Sequence, residues 1–299
     1  MTSNNRPSGA QYRIAAGGWS AIVTEVGAAL RELHHGSRAV VDGFPEHRMC
    51  TGYRGLPLLP WPNRIEDGRY SFDRVDHQLP INRVSEGNAI HGLTCWERWR
   101  IDREDPGRVA LSLDLLPRPG YPFSLSVAID YALSDNGLSV TMRARNPGSV
   151  PLPFGAGHHP YFLPRATLET ARVRVPASRY MALDGRGLPV ADRAVDGSAL
   201  DLRRADPVGA LELDHCFGAL AREADGMARV RLDDLAVWMD ERFGWLQLYS
   251  GDNLPIGERR RSLAIEPMTC PPNAFRSGRD LIALQPGGEV TLRWGVSIA

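Results

Sequence analysis

The sequence predicts an all-β protein, a large antiparallel β-sandwich with few short helices. Apolar and polar residues alternate with a period of two in several segments, which is typical of strands with one buried face. The 30 glycines and 23 prolines are spread along the 299 residues and leave little room for long helices. Helical stretches do not recur between the strands, as parallel βαβ units would require.

Four strands follow directly from this alternation. The first covers residues 109–115. Residues 125–133 and 138–145 alternate in the same way, and residues 134–137 between them (Ser-Asp-Asn-Gly) tolerate the positive φ of a tight turn. These two segments are therefore predicted to form a β-hairpin. The fourth strand covers residues 290–298 at the C-terminus.

Length alone permits one large domain or two ordinary ones. With 43% hydrophobic and 23% charged residues, the chain can form a sizeable core, and disorder of the whole chain is excluded. We expect a flexible N-terminal tail at residues 1–10 and a single β-sandwich domain at residues 11–299. Any helix should be short, such as one or two turns within residues 206–213.

The charge balance excludes several classes of partner. Lysine plus arginine and aspartate plus glutamate each total 35, so no net charge of the chain attracts nucleic acid or an anionic membrane. No apolar run approaches the roughly 20 residues of a membrane-spanning helix. Residues 1–10 also lack the apolar core of a secretory signal. We expect a cytoplasmic protein, monomeric or homodimeric, without nucleic-acid or membrane partners.

The cysteines Cys50, Cys95, Cys216 and Cys270 are widely spaced, without the C-x-x-C pairs of zinc or redox motifs. We expect them to be reduced and structural. The chain also lacks a G-x-x-x-x-G-K phosphate loop and a G-x-S-x-G nucleophile elbow. The sequence therefore gives no indication of a metal, phosphate or nucleophilic site.

Two segments contain candidates for proton transfer. His158 and His159 are adjacent, so in an extended chain they point to opposite faces and at most one can face a given pocket. Histidine suits proton transfer near neutral pH, although a structural role is an open alternative. Glu266 alternates with Leu263 and Ile265 and is followed by Pro267, which we expect to end regular strand pairing. An exposed edge glutamate is the alternative.

Three further segments are polar where a turn could bind a ligand. Trp61 precedes Asn63 and Arg64, and an aromatic ring beside charged and amide groups suits a sugar. An ordinary proline-rich loop is the alternative. His91 follows a Gly-Asn turn signal, and Asp214 lies among apolar residues, where a turn-forming or capping role is also open. Tyr121, between glycine and proline, is a weaker candidate.

Together these segments resemble the aldose 1-epimerase (mutarotase) family in order and approximate spacing, from about residue 17 to the C-terminus. The matching segments are Asn63-Arg64-Ile65, Asn88-Ala89-Ile90-His91-Gly92, Gly120-Tyr121-Pro122, His159-Pro160-Tyr161-Phe162, Leu213-Asp214-His215 and Ile265-Glu266-Pro267. Each segment is weak alone, but an unrelated β protein has no reason to reproduce the whole series.

The resemblance implies a galactose mutarotase-like supersandwich that binds a sugar in an open cleft without a metal or organic cofactor. It implies Glu266 as the general base and His159 as the general acid. It places Arg64, His91 and Asp214 on the sugar's hydroxyls and ring oxygen, with Asn63 and Tyr121 as further binding residues, and gives His158 no such role. Pro160 stands where galactose mutarotases usually have serine, which leaves the preferred sugar open.

The implied reaction interconverts the α and β anomers of a free aldohexose. Opening a cyclic hemiacetal needs a base at the C1 hydroxyl and an acid at the ring oxygen, which a carboxylate and an imidazolium can supply. We expect Glu266 and His159 to face each other across a gap the width of one pyranose ring.

Three other functions fit parts of the pattern. A non-catalytic carbohydrate-binding protein would share the polar groups but would not need the acid and base together. A glycosidase or lyase would pair Asp214 with Glu266. A hexose-phosphate epimerase would need a cationic cluster, for which residues 259–261 (Arg-Arg-Arg) are a candidate, with a solvated loop as the alternative.

Overall fold

The computed structural model describes residues 6–298, and its regular structure is almost entirely β-strand. The helical segments of that range are a single 3₁₀ turn (Val84–Glu86) and α1 (Ala274–Ser277). The strands are, in chain order, β1 (Gln11–Ala16), β2 (Trp19–Thr24), β3 (Leu30–His35), β4 (Arg38–Ala39), β5 (Pro57–Leu58), β6 (Arg64–Glu66), β7 (Arg69–Phe72), β8 (Val75–Gln78), β9 (Asn88–Ile90), β10 (Arg100–Asp105), β11 (Arg108–Leu115), β12 (Leu125–Ser134), β13 (Gly137–Arg145), β14 (Leu152–Phe154), β15 (Gly157–His158), β16 (Tyr161–Phe162), β17 (Arg172–Arg174), β18 (Ala177–Leu183), β19 (Pro189–Ala194), β20 (Asp206–Pro207), β21 (Asp214–Leu220), β22 (Ala228–Leu232), β23 (Leu235–Met239), β24 (Trp245–Tyr249), β25 (Leu263–Met268), β26 (Ile282–Leu284) and β27 (Glu289–Ile298).

Two large antiparallel sheets form the body of the molecule. One has nine strands in the order β10-β11-β12-β13-β27-β23-β22-β17-β20. The other has the order β19-β18-β21-β24-β25-β15-β5, with β16 also pairing with β25. Apolar side chains from both sheets form one continuous core, which includes Val140 and Val237 of the first sheet and Leu246 and Ile265 of the second. The predicted all-β sandwich class is therefore confirmed.

The strands predicted from alternation are present in the nine-stranded sheet. β12 and β13 form the expected hairpin, with Ser134 opposite Gly137 across the turn. Gly137 has a φ of 108°, a value that L side chains rarely adopt. β11 pairs with β12, and β27 pairs with β13, so the four predicted strands are neighbours in one sheet. Their alternate residues are buried because one face of this sheet covers the core.

The helix expected within residues 206–213 is wrong. Asp206 and Pro207 form β20, which pairs with β17, and a turn follows with Gly209 at a φ of 57°. Pro207 has no N–H to donate, and the left-handed glycine redirects the backbone, so a helix cannot continue through this segment.

The N-terminal segment is held more tightly than a free tail would be. Residues 1–5 of the proposed tail lie outside the described residues. Ser8 is buried, and its carbonyl accepts a hydrogen bond from the N–H of Val26. The carbonyl of Ala10 accepts one from Glu25. Residues 8–10 therefore belong to the packed structure.

All four cysteines are buried and free, as expected for reduced structural residues. Between residues 6 and 298, no helix combines the length and apolar character needed to cross a membrane.

Candidate active site

A cleft of about 480 Å³ opens beside the eight-stranded sheet. It brings together residues that are far apart in the sequence and come from β6, β21, β25 and the loops that follow β9 and β15. Of the seven residues that the family resemblance places at the site, six line this cleft, namely Asn63, Arg64, His91, His159, Asp214 and Glu266.

Glu266 lies on β25, opposite Gln247 of β24. Only 1% of its surface is exposed, so the alternative of an exposed edge glutamate is wrong. Burial, followed by the nearby negative charge of Asp214, raises the pKa of Glu266 well above its ordinary value, and Arg64 opposes this shift. Within the described part of the chain, its Oε2 atom has no hydrogen-bond partner. Glu266 is therefore a buried carboxyl whose surroundings favour its protonated form.

β25 continues through Pro267 to Met268, which corrects the expectation that Pro267 ends the pairing. Pro267 pairs in register with Leu246 of β24. On its other side, β25 meets β15 at Met268 and β16 at Ala264 and Leu263. The interruption between β15 and β16 faces the middle of β25, so no ladder hydrogen bond from Pro267 is needed there.

His159 occupies this interruption in the sheet. Its backbone N–H donates to Leu56 at 3.0 Å, and its carbonyl accepts from the N–H of Gly55 at 2.9 Å. The imidazole lies between two tyrosine rings, with centroid distances of 4.9 Å to Tyr161 and 6.4 Å to Tyr53. Burial lowers the pKa of His159 to about 3. Burial therefore favours the neutral form of this imidazole.

His159 and Glu266 are in direct contact, with 3.3 Å between Nε2 and Oε1. This is closer than the ring-width gap expected from the sequence, because the interruption in β15–β16 places His159 beside Glu266 on the sheet. Burial raises the pKa of the carboxyl and lowers that of the imidazole. Both shifts favour the form in which the carboxyl is protonated and the imidazole is neutral, and the two side chains that would exchange a proton are in contact.

His158 points into the core, on the opposite side of the chain from His159. Its Nδ1 accepts a hydrogen bond from Nε1 of Trp294 at 3.0 Å, and its Nε2 lies 2.9 Å from the carbonyl of Gly55. The first bond joins the two large sheets. Burial lowers the pKa of His158 to about 4, so the ring is neutral and structural.

Asn63 and Arg64 form a polar corner of the cleft. Asn63 has a left-handed φ of 55°, and its Oδ1 accepts from the backbone N–H of Arg64 at 2.9 Å. The Arg64 side chain is only 7% exposed. Its Nε donates to Glu86 at 2.9 Å, and its Nη2 lies 3.5 Å from Oδ2 of Asp214. The guanidinium is thus fixed in position but still faces the cleft.

His91 and Asp214 complete the set. Nδ1 of His91 accepts from the N–H of Asn63 at 3.2 Å, and burial lowers its pKa well below the ordinary value. The Asp214 side chain is 40% exposed, and its Oδ1 accepts from Nε2 of Gln247 at 2.6 Å. The cleft therefore offers a neutral imidazole, a carboxylate and a guanidinium around the Glu266–His159 pair.

Two aromatic residues expected at the site lie elsewhere. Tyr121 has no exposed surface, and its hydroxyl donates to the carbonyl of Pro153 at 2.9 Å in the core. Trp61 is 2% exposed and packs against Phe275. The expectation that Tyr121 binds the sugar is therefore wrong, and of the two alternatives left open for Trp61 its burial favours the structural one. An aromatic residue flanked by turn formers fits the core as well as it fits a binding site.

The arginines at residues 259–261 do not form a cationic cluster in the cleft. Arg260 pairs with Glu169 at 2.9 Å and with Asp252 at 2.8 Å. Arg261 pairs with Asp42, also at 2.9 Å. Nε of Arg259 donates to the carbonyl of Leu254. This run therefore gives no support to a phosphate site.

Over residues 6–298, no group of three or more histidine, cysteine, aspartate or glutamate side chains is placed so that it could hold a metal ion.

The sequence reasoning missed several residues that line the cleft, among them Tyr53, Glu86 and Gln247. Gln247 left a signal, because it is a buried polar residue within the otherwise apolar strand β24. No local pattern in the sequence indicates that Tyr53 and Glu86 lie in the cleft.

The chain matches the family model described as aldose 1-epimerase over residues 10–297. It is 37% identical to the YihR protein of Escherichia coli over 95% of this chain and 92% of that protein. It is also 30% identical to the galactose mutarotase of Rattus norvegicus, over 57% of this chain and 52% of that enzyme. The β-sandwich fold and the polar cleft are thus those of a sugar epimerase. The chain belongs to the aldose 1-epimerase family.

Solved structures show the same fold. The aldose epimerase homologue of Caenorhabditis elegans has a TM-score of 0.85 at 19% identity, covering 97% of this chain and 99% of that one. The galactose 1-epimerase of Lactobacillus acidophilus has a TM-score of 0.79 at 22% identity, covering 95% and 92%. At these identities the likeness establishes the galactose mutarotase-like sandwich fold alone.

Proposed function

We propose that this protein is an aldose 1-epimerase that interconverts the α and β anomers of a free aldohexose. The observation that supports this most directly is the buried contact between Glu266 and His159 in a polar cleft. The reaction needs a proton donor and a proton acceptor that act on two oxygens bonded to the same carbon. Two groups in contact suit that requirement better than two groups separated by a whole ring.

In this mechanism the pair acts in its carboxylate–imidazolium form. Glu266 takes the proton of the C1 hydroxyl while His159 gives a proton to the ring oxygen, and the bond between C1 and the ring oxygen breaks. The aldehyde rotates about the C1–C2 bond. His159 then takes the proton back from the C5 hydroxyl, and Glu266 returns one to the carbonyl oxygen as the ring closes. Each group contributes about 10²- to 10⁴-fold.

The proton count of the pair is the same at rest and in the reactive form. The proton can lie on Glu266, with His159 neutral, or on His159, with Glu266 ionised. The approach of a sugar hydroxyl to Glu266 favours the ionised carboxylate by giving it a hydrogen bond. Arg64, His91 and Asp214 bind the other hydroxyls and hold the sugar over the pair.

Polarimetry of freshly dissolved α-glucose and α-galactose tests the proposal. The protein should accelerate the approach to anomeric equilibrium of at least one free aldohexose. A panel that includes the corresponding sugar 6-phosphates would show whether a phosphate is tolerated. Sugar binding without faster anomer exchange would instead indicate a carbohydrate-binding protein. Release of sugar from a glycoside would indicate a glycosidase.

A further inference from the structure

Arg64 is enclosed by two segments that are distant in the sequence. One is the 3₁₀ turn of Val84–Glu86, and the other is the loop of residues 184–187. Neither belongs to the segments through which the chain resembles its family. Both contact the Arg64 side chain, and Glu86 of the 3₁₀ turn also lines the cleft.

Glu86 provides the closest charged contact. Its Oε2 accepts from Nε of Arg64 at 2.9 Å, and its Oε1 accepts from Nε of Arg83 at 3.0 Å. Because Nε is the pivot of the planar guanidinium, this bond sets the direction of the two Nη groups. Nη1 then lies 3.3 Å from Oδ1 of Asn63, and Nη2 lies 3.5 Å from Oδ2 of Asp214.

The loop of residues 184–187 packs directly against the guanidinium. A Cβ added at Gly187 would lie 2.6 Å from Cζ and from Nε of Arg64, and the φ of Gly187 is +72°. Glycine is therefore required at this position both for space and for backbone conformation. The loop and the guanidinium are in contact with no room for an added side chain.

Arg186 joins this loop to the turn that carries Glu86. Its Nε donates to the carbonyl of Glu86 at 2.8 Å, and its Nη2 lies 3.3 Å from the carbonyl of Gly87. Nδ2 of Asn88 donates back to the carbonyl of Arg186 at 2.9 Å. The two segments thus hold each other in place around Arg64.

We propose that Glu86 is a positioning residue for sugar binding, which acts by orienting Arg64, with the loop of residues 184–187 as the support behind it. The inference rests on the proposed role of Arg64 as a ligand of the sugar. It assigns to Glu86 a function beyond stabilising the local turn. A structural role alone would leave sugar affinity unchanged as long as the protein folds.

The test is Glu86→Gln, which keeps the size of the side chain and removes its charge. A charge-assisted hydrogen bond is about twice as strong as a neutral one, so the amide should hold Arg64 less firmly. We expect KM for the free aldohexose to rise about tenfold, with kcat changed by less than about twofold, since Arg64 binds the sugar equally before and during the reaction. Gly187→Ala should also raise KM, because the added Cβ would displace the Arg64 guanidinium.

The matched control is Glu223→Gln, the same change in a carboxylate that pairs with Arg229 at 2.7 Å, away from the cleft. It should leave KM and kcat unchanged. A double-mutant cycle separates positioning from structural support: in an Arg64→Ala background, Glu86→Gln should have no further effect on KM. Circular dichroism and the unfolding temperature should show that each variant is folded.

The outcomes separate this inference from the proposed function. If wild-type protein accelerates anomer exchange but Glu86→Gln has wild-type KM, the positioning role is overturned. The same follows if Glu86→Gln still raises KM in the Arg64→Ala background. If wild-type protein binds sugar without catalysis, calorimetric Kd values for glucose and galactose replace KM in the same cycle. If it neither binds nor converts any free aldose, both proposals fail.

Discussion

The opposite pKa shifts of Glu266 and His159 should give opposite contributions to the pH dependence of stability. Burial raises the folded-state pKa of Glu266 above 4.5, so the folded protein keeps a proton that the unfolded chain has lost. Its contribution to stability is fully present below pH 4.5 and is lost as pH rises toward the folded-state pKa. Burial lowers the folded-state pKa of His159 to about 3, so its contribution is present above pH 6.5 and is lost as pH falls toward 3.

Between pH 4.5 and 6.5 these two contributions have opposite slopes. The slope from His159 is about 1.4 kcal/mol per pH unit for one proton, and the opposite slope from Glu266 offsets it in the wild-type protein. Glu266→Gln removes the contribution to stability that falls with pH and leaves the contribution of His159, which rises with pH. Because His159 keeps a folded-state pKa of about 3, the free energy of unfolding of this variant should rise by about 3 kcal/mol across this range, more steeply than that of wild type. His159→Asn should show the opposite change.

Urea-induced unfolding at pH 4.5, 5.5 and 6.5, followed by tryptophan fluorescence, measures this difference. Glu223→Gln, which changes a carboxylate remote from the pair, serves as the control and should follow the wild-type pH dependence. Parallel pH profiles for wild type and Glu266→Gln would refute the reasoning, because Glu266 could then not carry a proton in the folded state that the unfolded chain lacks.

Further variants test individual contacts. Arg64→Ala should raise KM about tenfold or more, because a hydrogen bond to a charged group contributes about 1.5–3 kcal/mol, and an unchanged KM in steady-state polarimetry would exclude the contact. Tyr121→Phe leaves the buried carbonyl of Pro153 unpaired and should reduce the free energy of unfolding in urea by about 1–3 kcal/mol, with KM unchanged. A higher KM would place Tyr121 back at the sugar. Trp294→Phe removes the donor to Nδ1 of His158 and should lower the free energy of unfolding in urea by about 1–3 kcal/mol. A wild-type free energy of unfolding would show that this bond between the sheets contributes little to stability.

The fold class could be predicted because the evidence for it is local. Alternation with a period of two in the segments that became β12, β13 and β27 reports directly which side chains face the core. The turn of residues 134–137 is also encoded within four residues. By contrast, β25 runs past Pro267 because its partner strand is interrupted at that point, and the interruption lies about 100 residues away in the sequence.

The residues of the cleft could be predicted only in part. Residue type and adjacent turns indicated that Arg64, His91 and Asp214 bind a ligand. The same signals suggested Tyr121 and Trp61, but packing with distant segments buries both of these side chains in the core. The contact between Glu266 and His159 depends on which strands are neighbours. Glu86 reaches Arg64 through the tertiary fold, so no spacing or motif could reveal it.

The most direct test of the account is the rate of anomer exchange in Glu266→Gln and His159→Asn, measured by polarimetry on protein shown by circular dichroism to be folded. Each change keeps a side chain of similar size but removes one member of the pair that carries the proton. The account predicts that both variants lose most of the wild-type acceleration for an aldohexose that the wild-type protein converts. A near-wild-type rate in either folded variant would contradict it.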